Sequence, residues 1–395
     1  MVDTSLLSAD QLASWDRDGY IVIDDPCEPA LIDEVRAEVQ PLYYEEFGPG
    51  DQHVENGVTF HRHPGHHDDY RWHRIRAAWR ICSSVRSLAL SPRVLTVLEE
   101  LFGARPLPFQ TLNFPTGTQQ PAHFDSMAFN SDPPGYMCGV WVALEDMDMD
   151  NGPLEYYPGS HKLATPTWEV IDRETGERHS RDDFENEGEF RAARSSQYRR
   201  YCKEVVDKYG LKPEFGTIKK GQALIWSANL LHGGAAQNDK RRTRHSQVTH
   251  YFFEAPRYCT PMLTENRHVI WSYPEWVTEN PLQGTPDELR AAVDSEIPSG
   301  SKVLVAGAHP DLMDLGDRPT EPFPQEDGSA VAPREFQGDL VKHLKRLKSD
   351  GANYAVFPKW VLSWLQWEAT ALQDHLERRC RPVFRDGTIG AIYSI

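Results

Sequence analysis

The feature that most limits the fold of this chain is a series of short apolar runs after Gly103. Glycine, proline and asparagine separate the runs, which are "FQTLNF", "CGVWVAL", "PLEYY", "FGTI", "QALIWS" and "SQVTHYFF". Short runs bounded by turn residues are typical of β-strands. Many strands in succession with few interleaved helices favour a sandwich or barrel. We therefore expect a mainly β core of the double-sheet jelly-roll type, a double-stranded β-helix.

Helical patterns flank this β core on its N-terminal side. A Ser8 cap opens an amphipathic segment that leads into the strand-like "GYIVID", and "EPALIDEVRAEVQPLY" has a second helical pattern. A third helix is predicted from Ser91 to Phe102, because Pro92 suits a first helical turn and Gly103 suits a helix end. The predicted class is therefore mainly β with added N-terminal helices.

Two further regions depart from the short-strand pattern. Residues 165–210 form a long charged insertion that we predict to be helical in its second half and to act as a lid over the core, since long insertions in β scaffolds are commonly functional. Beyond about residue 300, strand and helix patterns alternate, which indicates a small α/β unit with a mainly parallel sheet. We predict an N-terminal domain over 1–290 and an accessory domain over 300–395.

Composition excludes several classes of partner. The net charge is −17, and binding to nucleic acid or to anionic membranes needs a basic surface. No window approaches the roughly 20 apolar residues of a membrane span, and the N-terminus lacks a signal-peptide pattern. Six cysteines without C-x-x-C spacing suit free thiols in a reducing compartment. We expect a cytoplasmic protein without membrane insertion, and composition leaves its oligomeric state open.

The stretch "TGTQQPAHFDSMAF" carries a histidine and a carboxylate two positions apart. Interpreted as a strand, its alternation places His123 and Asp125 on one face. Such a pair has two interpretations, a hydrogen-bonded structural pair or two metal ligands. His232 follows a distant strand-like run and could supply a third ligand. Two histidines and one carboxylate form the facial triad of non-heme Fe(II) oxygenases, which leaves coordination positions for a cosubstrate and O₂.

An oxygenase of this type needs an electron source, and 2-oxoglutarate can serve if a cation holds its distal carboxylate. Arg244 and Ser246 would share one strand face in "TRHSQVTHYF". A guanidinium can bind a carboxylate through two parallel hydrogen bonds, with the serine hydroxyl as a further donor. Alternatively, Arg244 is one residue of a solvated basic hairpin with Lys240, Arg241 and Arg242.

Three segments together carry a family resemblance. They are "GTQQPAHFDS", "GVWVALEDMDMDNGPLEYYPGSHK" and "GQALIWSANLLHGG" with "RHSQVTHYF". Over roughly residues 8–256 the chain resembles the phytanoyl-CoA dioxygenase family of Fe(II)- and 2-oxoglutarate-dependent oxygenases, which implies a cupin-like jelly roll. The resemblance implies that His123, Asp125 and His232 bind iron and that Arg244 with Ser246 binds 2-oxoglutarate. It also points to Asn113 as a cosubstrate contact.

Other histidines are also candidate ligands. His161 in "NGPLEYYPGSH" is interpreted as part of a turn that frames the pocket. The cluster "HRHPGHHDDYRWH" contains His61, His63, His66, His67 and His73. It lacks the cysteines and spacing of a zinc site, so a loop near the pocket entrance is favoured.

These observations predict a 2-oxoglutarate-dependent dioxygenase that hydroxylates an unactivated C–H bond of a small or carrier-linked metabolite. Halogenating relatives replace the carboxylate ligand with Gly or Ala, and Asp125 argues against that chemistry. The C-terminal unit weakly resembles a module attached to bacterial glycan-biosynthesis enzymes, which suggests a natural-product or glycan pathway. The rival hypothesis is a catalytically silent jelly roll that binds a ligand or serves as a scaffold. An intact triad with Arg244 favours the enzyme.

Overall fold

A computed structural model of the chain describes residues 6–47, 50–62, 70–254, 257–264, 269–281, 283–307 and 312–395. The chain divides into two compact units, Met1–Ala255 and Pro256–Ile395. Each unit has its own secondary structure and its own core. They are described in turn.

The first unit contains a long series of strands and several helices. Its strands are β1 (Tyr20–Ile23), β2 (Gln52–Glu55), β3 (Val58–His61), β4 (Arg74–Arg76), β5 (Pro106–Phe114), β6 (Asn130–Asp132), β7 (Met137–Ala143), β8 (Leu154–Tyr156), β9 (Glu214–Phe215), β10 (Ala223–Ser227), β11 (His232–Gly234) and β12 (Ser246–Phe253). Its helices are α1 (Ala9–Asp18), α2 (Pro29–Val39), α3 (Ser83–Ala89), α4 (Pro92–Phe102), α5 (Trp168–Thr175) and α6 (Glu187–Tyr209).

Most of these strands join one antiparallel sheet of eight strands, in the order β1-β10-β7-β12-β5-β4-β3-β2. A smaller antiparallel sheet has the order β11-β8-β9. Side chains of the two sheets, including Trp141 of β7 and Tyr156 of β8, share one buried apolar cluster. Two facing antiparallel sheets around a shared core define the predicted jelly-roll class, which is confirmed. The described strands do not close into a barrel.

The large sheet has two distinct faces. Side chains alternate along β12, and the side chain of Gln247 donates to the backbone carbonyl of Val85, while the hydroxyl of Tyr251 donates to that of Ala89. This helix-covered face is the outer face. Val248 belongs instead to the cluster shared with the smaller sheet, so it lies on the inner face.

The predicted helix ends are confirmed in this unit. Ser8 caps α1 in a capping box with Gln11, and α4 begins at Pro92 and ends at Gly103, whose φ is 63°. Glycine adopts this left-handed conformation without a steric penalty. The insertion is helical in its second half, as predicted, because Asn186 caps α6. Its first half contains the additional helix α5, which is capped by Thr167.

The second unit is α/β, as predicted, but its sheet is mixed. Its helices are α7 (Pro286–Glu296), α8 (Leu340–Ser349), α9 (Lys359–Trp367) and α10 (Thr370–Arg379). Its strands are β13 (Arg257–Cys259), β14 (Val303–Ala306), β15 (Thr320–Phe323), β16 (Gln325–Glu326), β17 (Ser329–Ala330), β18 (Tyr354–Pro358), β19 (Arg381–Asp386) and β20 (Gly390–Ser394). The main sheet has the order β15-β14-β18-β20-β19.

Only part of this sheet matches the predicted mainly parallel arrangement. The pairs of β14 with β15 and with β18 are parallel, whereas β20 is antiparallel to both β18 and β19. The difference arises because β19 and β20 are joined by a short turn and form a hairpin, and a hairpin forces antiparallel pairing. The sequence pattern predicts one helix over residues 360–380, where the structure has two, α9 and α10.

The division between the units falls before the predicted boundary at residues 290–300. The segment after residue 256 bonds to elements of the second unit. The backbone carbonyl of Trp271 accepts from Gln373 at 3.0 Å, and the indole of Trp276 donates to the carbonyl of Arg385 at 2.9 Å. These contacts link distant parts of the sequence, which local composition does not reveal. All six cysteines are free, as predicted, and no described helix has the length and hydrophobicity to cross a membrane.

Candidate metal centre

His123 and His232 lie side by side on neighbouring chain segments. Their backbones exchange two hydrogen bonds, from His123 N to His232 O at 2.8 Å and from His232 N to His123 O at 3.0 Å. His123 forms only this isolated bridge, and a 3₁₀ turn begins at Asp125. The prediction of a continuous strand over 122–129 is therefore wrong, because the amides of Ala128 and Phe129 bond back to the Asp125 carbonyl.

The turn nevertheless brings the three predicted ligands together. The Nε2 atom of His123 lies 3.6 Å from Asp125 Oδ1, and the Nε2 atom of His232 lies 3.6 Å from Asp125 Oδ2. One ligand atom from each residue lies within 4.8 Å of the other two. Among the described residues, this is the group of histidines, cysteines and carboxylates that could hold a metal ion.

Backbone carbonyls orient both imidazole rings. His123 Nδ1 lies 3.0 Å from the carbonyl of Pro121, and His232 Nδ1 lies 2.9 Å from that of Leu230. A carbonyl oxygen only accepts, so each Nδ1 carries the proton and each Nε2 presents its lone pair to the centre. Fixing the tautomer of a histidine ligand in this way is a usual feature of protein metal sites.

Asp125 has two further neighbours that sequence reasoning missed. The indole of Trp226 donates to Asp125 Oδ2 at 2.9 Å, and His250 Nε2 lies 3.5 Å from the same oxygen. In the large sheet, Gly139 of β7 pairs with Trp226 of β10 on one side and with His250 of β12 on the other. A Cβ atom at residue 139 would lie 2.1 Å from the Trp226 ring, so glycine makes room for the indole. The sequence signal that could have found them is strand alternation, which places Trp226 and His250 on the inner face of their strands, beside the triad.

The electrostatics of the centre favour an anionic carboxylate beside neutral imidazoles. Burial opposes ionisation of Asp125, yet its interactions with His232, His123 and His250 hold its pKa well below the usual range. Burial lowers the pKa of His232 to about 4, against the opposing effect of Asp125. Both protonation states are those that bind metal ions.

The insertion contributes to the core behind this centre. Phe124, between the two ligands of the turn, packs in a buried cluster with side chains of α5 and α6, among them Ile171, Tyr198 and Cys202. Helix α6 therefore supports the turn that carries Asp125. The predicted lid movement of residues 165–210 stays a prediction.

Arg244 lies two residues before β12 and is buried, with 3% of its surface exposed. Its guanidinium lies 5.2 Å from the ring centre of Trp141 and forms no ion pair with a described carboxylate. Burial lowers its pKa to about 10, although Glu145 acts in the opposite direction. The buried Nε of Arg244 and the buried hydroxyl of Ser246 have no hydrogen-bond partner in the described structure.

Asn113 is placed apart from this group. It pairs with Gln247 in the sheet, and its side-chain amide donates to the side-chain Oε1 of Gln247 at 3.3 Å. Both residues therefore lie on the outer face, opposite Ser246. The structure does not bring Asn113 to the inner face, where the proposed cosubstrate residues lie.

Among the other candidate histidines, those that the structure describes, His61, His73 and His161, lie outside the three-residue group. His161 belongs to a 3₁₀ turn whose backbone accepts a hydrogen bond from Asn229 at 3.0 Å. His61 ends β3 and His73 is buried. His63, His66 and His67 fall outside the described residues.

The donor set fits Fe(II) and 2-oxoglutarate. Two neutral imidazoles and a carboxylate suit a non-heme iron and leave positions for other ligands. A buried cation without a partner is costly, and so is a buried hydroxyl without one. Arg244 and Ser246 supply such groups, and an anionic cosubstrate would satisfy both.

Jelly-roll sheets that hold two histidines and one carboxylate, with a buried arginine on the inner face, define the class of iron- and 2-oxoglutarate-dependent dioxygenases. Residues 15–245 match the phytanoyl-CoA dioxygenase (PhyH) family. This match covers more than half of the chain, and the chain belongs to that family. The resemblance predicted from the sequence is confirmed.

Curated relatives are distant. The chain is 24% identical over 234 residues to an ectoine dioxygenase of Nocardia farcinica, with 58% of this chain and 72% of the relative covered. It is 25% identical over 191 residues to phytanoyl-CoA dioxygenase domain-containing protein 1 of Danio rerio, with 47% of this chain covered. The chain spans 55% of the length of that relative.

Solved structures with similarity to the chain include two enzymes. One is the α-ketoglutarate-dependent carbocyclase SnoK from nogalamycin biosynthesis, at 18% identity and a TM-score of 0.45, with 66% of this chain and 90% of SnoK covered. The other is EctD from S. alaskensis with 2-oxoglutarate and 5-hydroxyectoine, at 19% identity and a TM-score of 0.45, with 67% of this chain and 83% of EctD covered.

Proposed function

We propose that this chain is an Fe(II)- and 2-oxoglutarate-dependent dioxygenase that hydroxylates a C–H bond of a small or carrier-linked metabolite. One observation carries the proposal. His123, Asp125 and His232 converge with ligand atoms within 4.8 Å of one another, although His232 is distant in sequence. The protonation states of Asp125 and His232 suit a divalent metal, and the triad lies in a member of an oxygenase family.

Each residue has a distinct part in this proposal. His123, Asp125 and His232 would hold the iron, which when bound activates O₂ with electrons from 2-oxoglutarate, yielding succinate and CO₂. Arg244 and Ser246 would bind the distal carboxylate of 2-oxoglutarate. Trp226 fixes Asp125 through its indole N–H. Asp125 supplies the carboxylate that halogenating relatives lack, which supports hydroxylation.

The rival function is a silent jelly roll that binds a ligand without turnover. A binding protein has no need for a metal triad together with a buried arginine that forms no ion pair with a described carboxylate. That combination favours the enzyme. A panel of fatty acyl, amino-acid, sugar and natural-product compounds covers the main classes of metabolite.

The test is succinate release by the full chain with Fe(II), 2-oxoglutarate and each member of the panel. We expect iron-dependent succinate that at least one compound stimulates. His123→Ala, Asp125→Ala and His232→Ala should each abolish it, because three ligands at one ion act as a unit. His53→Ala, which removes a histidine paired with Glu55 on β2, should retain full turnover. A chain that forms no succinate with any compound supports the rival.

A further inference from the structure

Strand β4 carries two arginines toward the inner face of the large sheet. Arg74 and Arg76 flank Ile75, which pairs with the outer-face residue Asn113. Successive side chains of a strand point to opposite faces. Arg76 accordingly pairs with Leu112, and Leu112 packs against the inner-face cluster.

The register places these arginines level with the candidate metal centre. Arg76 pairs with Leu112, and Leu112 pairs in turn with Val248. Val248 lies between Ser246, a proposed cosubstrate contact, and His250, which contacts Asp125. Strands lie about 4.8 Å apart, so the backbone of Arg76 is roughly 10 Å from that of Val248. The Arg74 side chain is half-buried and the Arg76 side chain is exposed, so both are open to a ligand that enters from solvent.

These two cations are poorly compensated. Arg76 Nη2 donates to the hydroxyl of Thr59 at 3.2 Å, and neither arginine forms an ion pair with a carboxylate that the structure describes. The buried Nε of Arg74 has no hydrogen-bond partner within the described ranges. Burial and, second, the charge of Arg76 lower the pKa of Arg74.

Two neighbouring guanidinium groups without an ion pair to any described carboxylate stand out in a chain with a net charge of −17. Because Arg244 is proposed to bind the distal carboxylate of 2-oxoglutarate, Arg74 and Arg76 form a second cationic site that is available to another ligand. Guanidinium groups bind carboxylate and phosphoryl oxygens through paired hydrogen bonds. An anion at β4 would compensate the repulsion between the two arginines.

We propose that Arg74 and Arg76 bind an oxyanion, a carboxylate or a phosphoryl group, on the substrate that is oxidised. The inference rests on the proposed function and names the chemical class of that substrate. It places the anionic group on the inner face of β4, with the C–H bond to be oxidised directed toward His123, Asp125 and His232.

The test measures binding of simple anions to the full chain by calorimetry, with Zn²⁺ replacing iron to prevent turnover. Saturating 2-oxoglutarate keeps Arg244 occupied. The probes are phenyl phosphate and benzoate, with benzyl alcohol as the uncharged control. The variants are Arg74→Gln, Arg76→Gln and, as a matched control, Arg62→Gln. Arg62 lies near β4 but stacks on Trp72 at 5.0 Å and bonds to the backbone of Arg71.

We expect at least one anion to bind and benzyl alcohol to bind more weakly. Loss of either β4 arginine should weaken anion binding at least tenfold, while Arg62→Gln should change it less than twofold. The stronger probe distinguishes a phosphoryl from a carboxylate ligand. The proposal is overturned if neither anion binds or if Arg62→Gln weakens binding as much as Arg74→Gln.

Succinate release by the unsubstituted chain is measured on the same preparation. If neither anion binds but succinate is still formed, the inference alone is contradicted. Absence of succinate contradicts the proposed function on which the inference rests. Thermal unfolding of each variant shows whether lost binding reflects lost folding, and the two β4 variants provide independent measurements.

Discussion

The hydroxyl of Tyr198 bonds to both backbone groups of Phe124. It accepts from the Phe124 N–H at 2.8 Å and donates to the Phe124 carbonyl at 3.2 Å. Phe124 lies between His123 and Asp125, so a side chain of α6 fixes the peptide units that join the two candidate ligands. Tyr198 is therefore a positioning residue for the metal centre.

Tyr198→Phe should weaken metal binding. The change leaves two buried backbone groups without their partner, at a cost of about 1–3 kcal/mol, and loosens the turn that carries Asp125. We expect the dissociation constant for Co²⁺, used as a spectroscopic substitute for Fe²⁺, to rise about tenfold. Absorption titration of the full chain measures this change directly.

Tyr201→Phe is the matched control for this prediction. Tyr201 lies on the same helix and in the same core cluster, and no described group forms a hydrogen bond with its hydroxyl. Its loss should leave the Co²⁺ affinity within twofold of the original value. Equal affinities in the two variants would show that the Tyr198 hydrogen bonds do not position the ligands.

Arg244→Gln should raise the KM for 2-oxoglutarate strongly. Truncating one partner of a buried charge pair costs about 2–5 kcal/mol, which corresponds to a rise of roughly 30-fold or more. Arg241→Gln should have little effect, because 91% of the Arg241 side chain is exposed and it pairs with Asp239. Succinate release at varied 2-oxoglutarate measures both. Similar KM values in the two variants would remove Arg244 from the cosubstrate site.

Gly139→Ala should disturb the candidate centre through Trp226. The added methyl group overlaps the indole ring, and overpacking of this kind typically costs 1–3 kcal/mol. Displacement of the ring breaks its hydrogen bond to Asp125. We expect a lower melting temperature and at least a fivefold loss of Co²⁺ affinity. Gly103→Ala, where no atom lies within 4 Å of the new Cβ, is a control for the loss of a glycine: its positive φ predicts destabilisation without loss of metal affinity.

His245 should make the protein less stable in acid. Burial lowers its pKa to about 4, with Glu145 opposing and Arg36 adding to the shift, whereas an unfolded histidine has a pKa near 6.5. The folded state therefore keeps the ring neutral while the unfolded state takes up a proton. The difference in pKa has no effect on stability above about pH 6.5. As the pH falls from there toward 4, it lowers the free energy of unfolding by roughly 3 kcal/mol in total.

Urea unfolding at pH 7 and at pH 4.5 measures this effect. His245→Gln should lose less stability between the two values than the unsubstituted chain, since glutamine does not titrate. Comparison of the two chains cancels the contribution of the carboxylates and of the other histidines. An identical pH dependence in both would show that His245 titrates normally in the folded state.

Much of the fold follows from local sequence patterns. The β-strand runs, the Ser8 cap and the Gly103 helix end each depend on residues a few positions apart, and these local preferences agree with the tertiary fold. Local patterns did not predict that the segment around Trp271 belongs to the second unit. The hydrogen bond that links it to that unit joins Trp271 to Gln373, about a hundred residues away.

The sequence by itself determined the identities of the candidate metal ligands and the family, because residue types and short motifs carry that information. Only the tertiary structure decided how they are used. It turns the chain at Asp125 instead of continuing a strand, directs Asn113 to the outer face and brings Tyr198 onto Phe124. The physical reason is that strand register and side-chain contacts are fixed by packing between distant segments, whereas alternation and capping depend on neighbours in the chain.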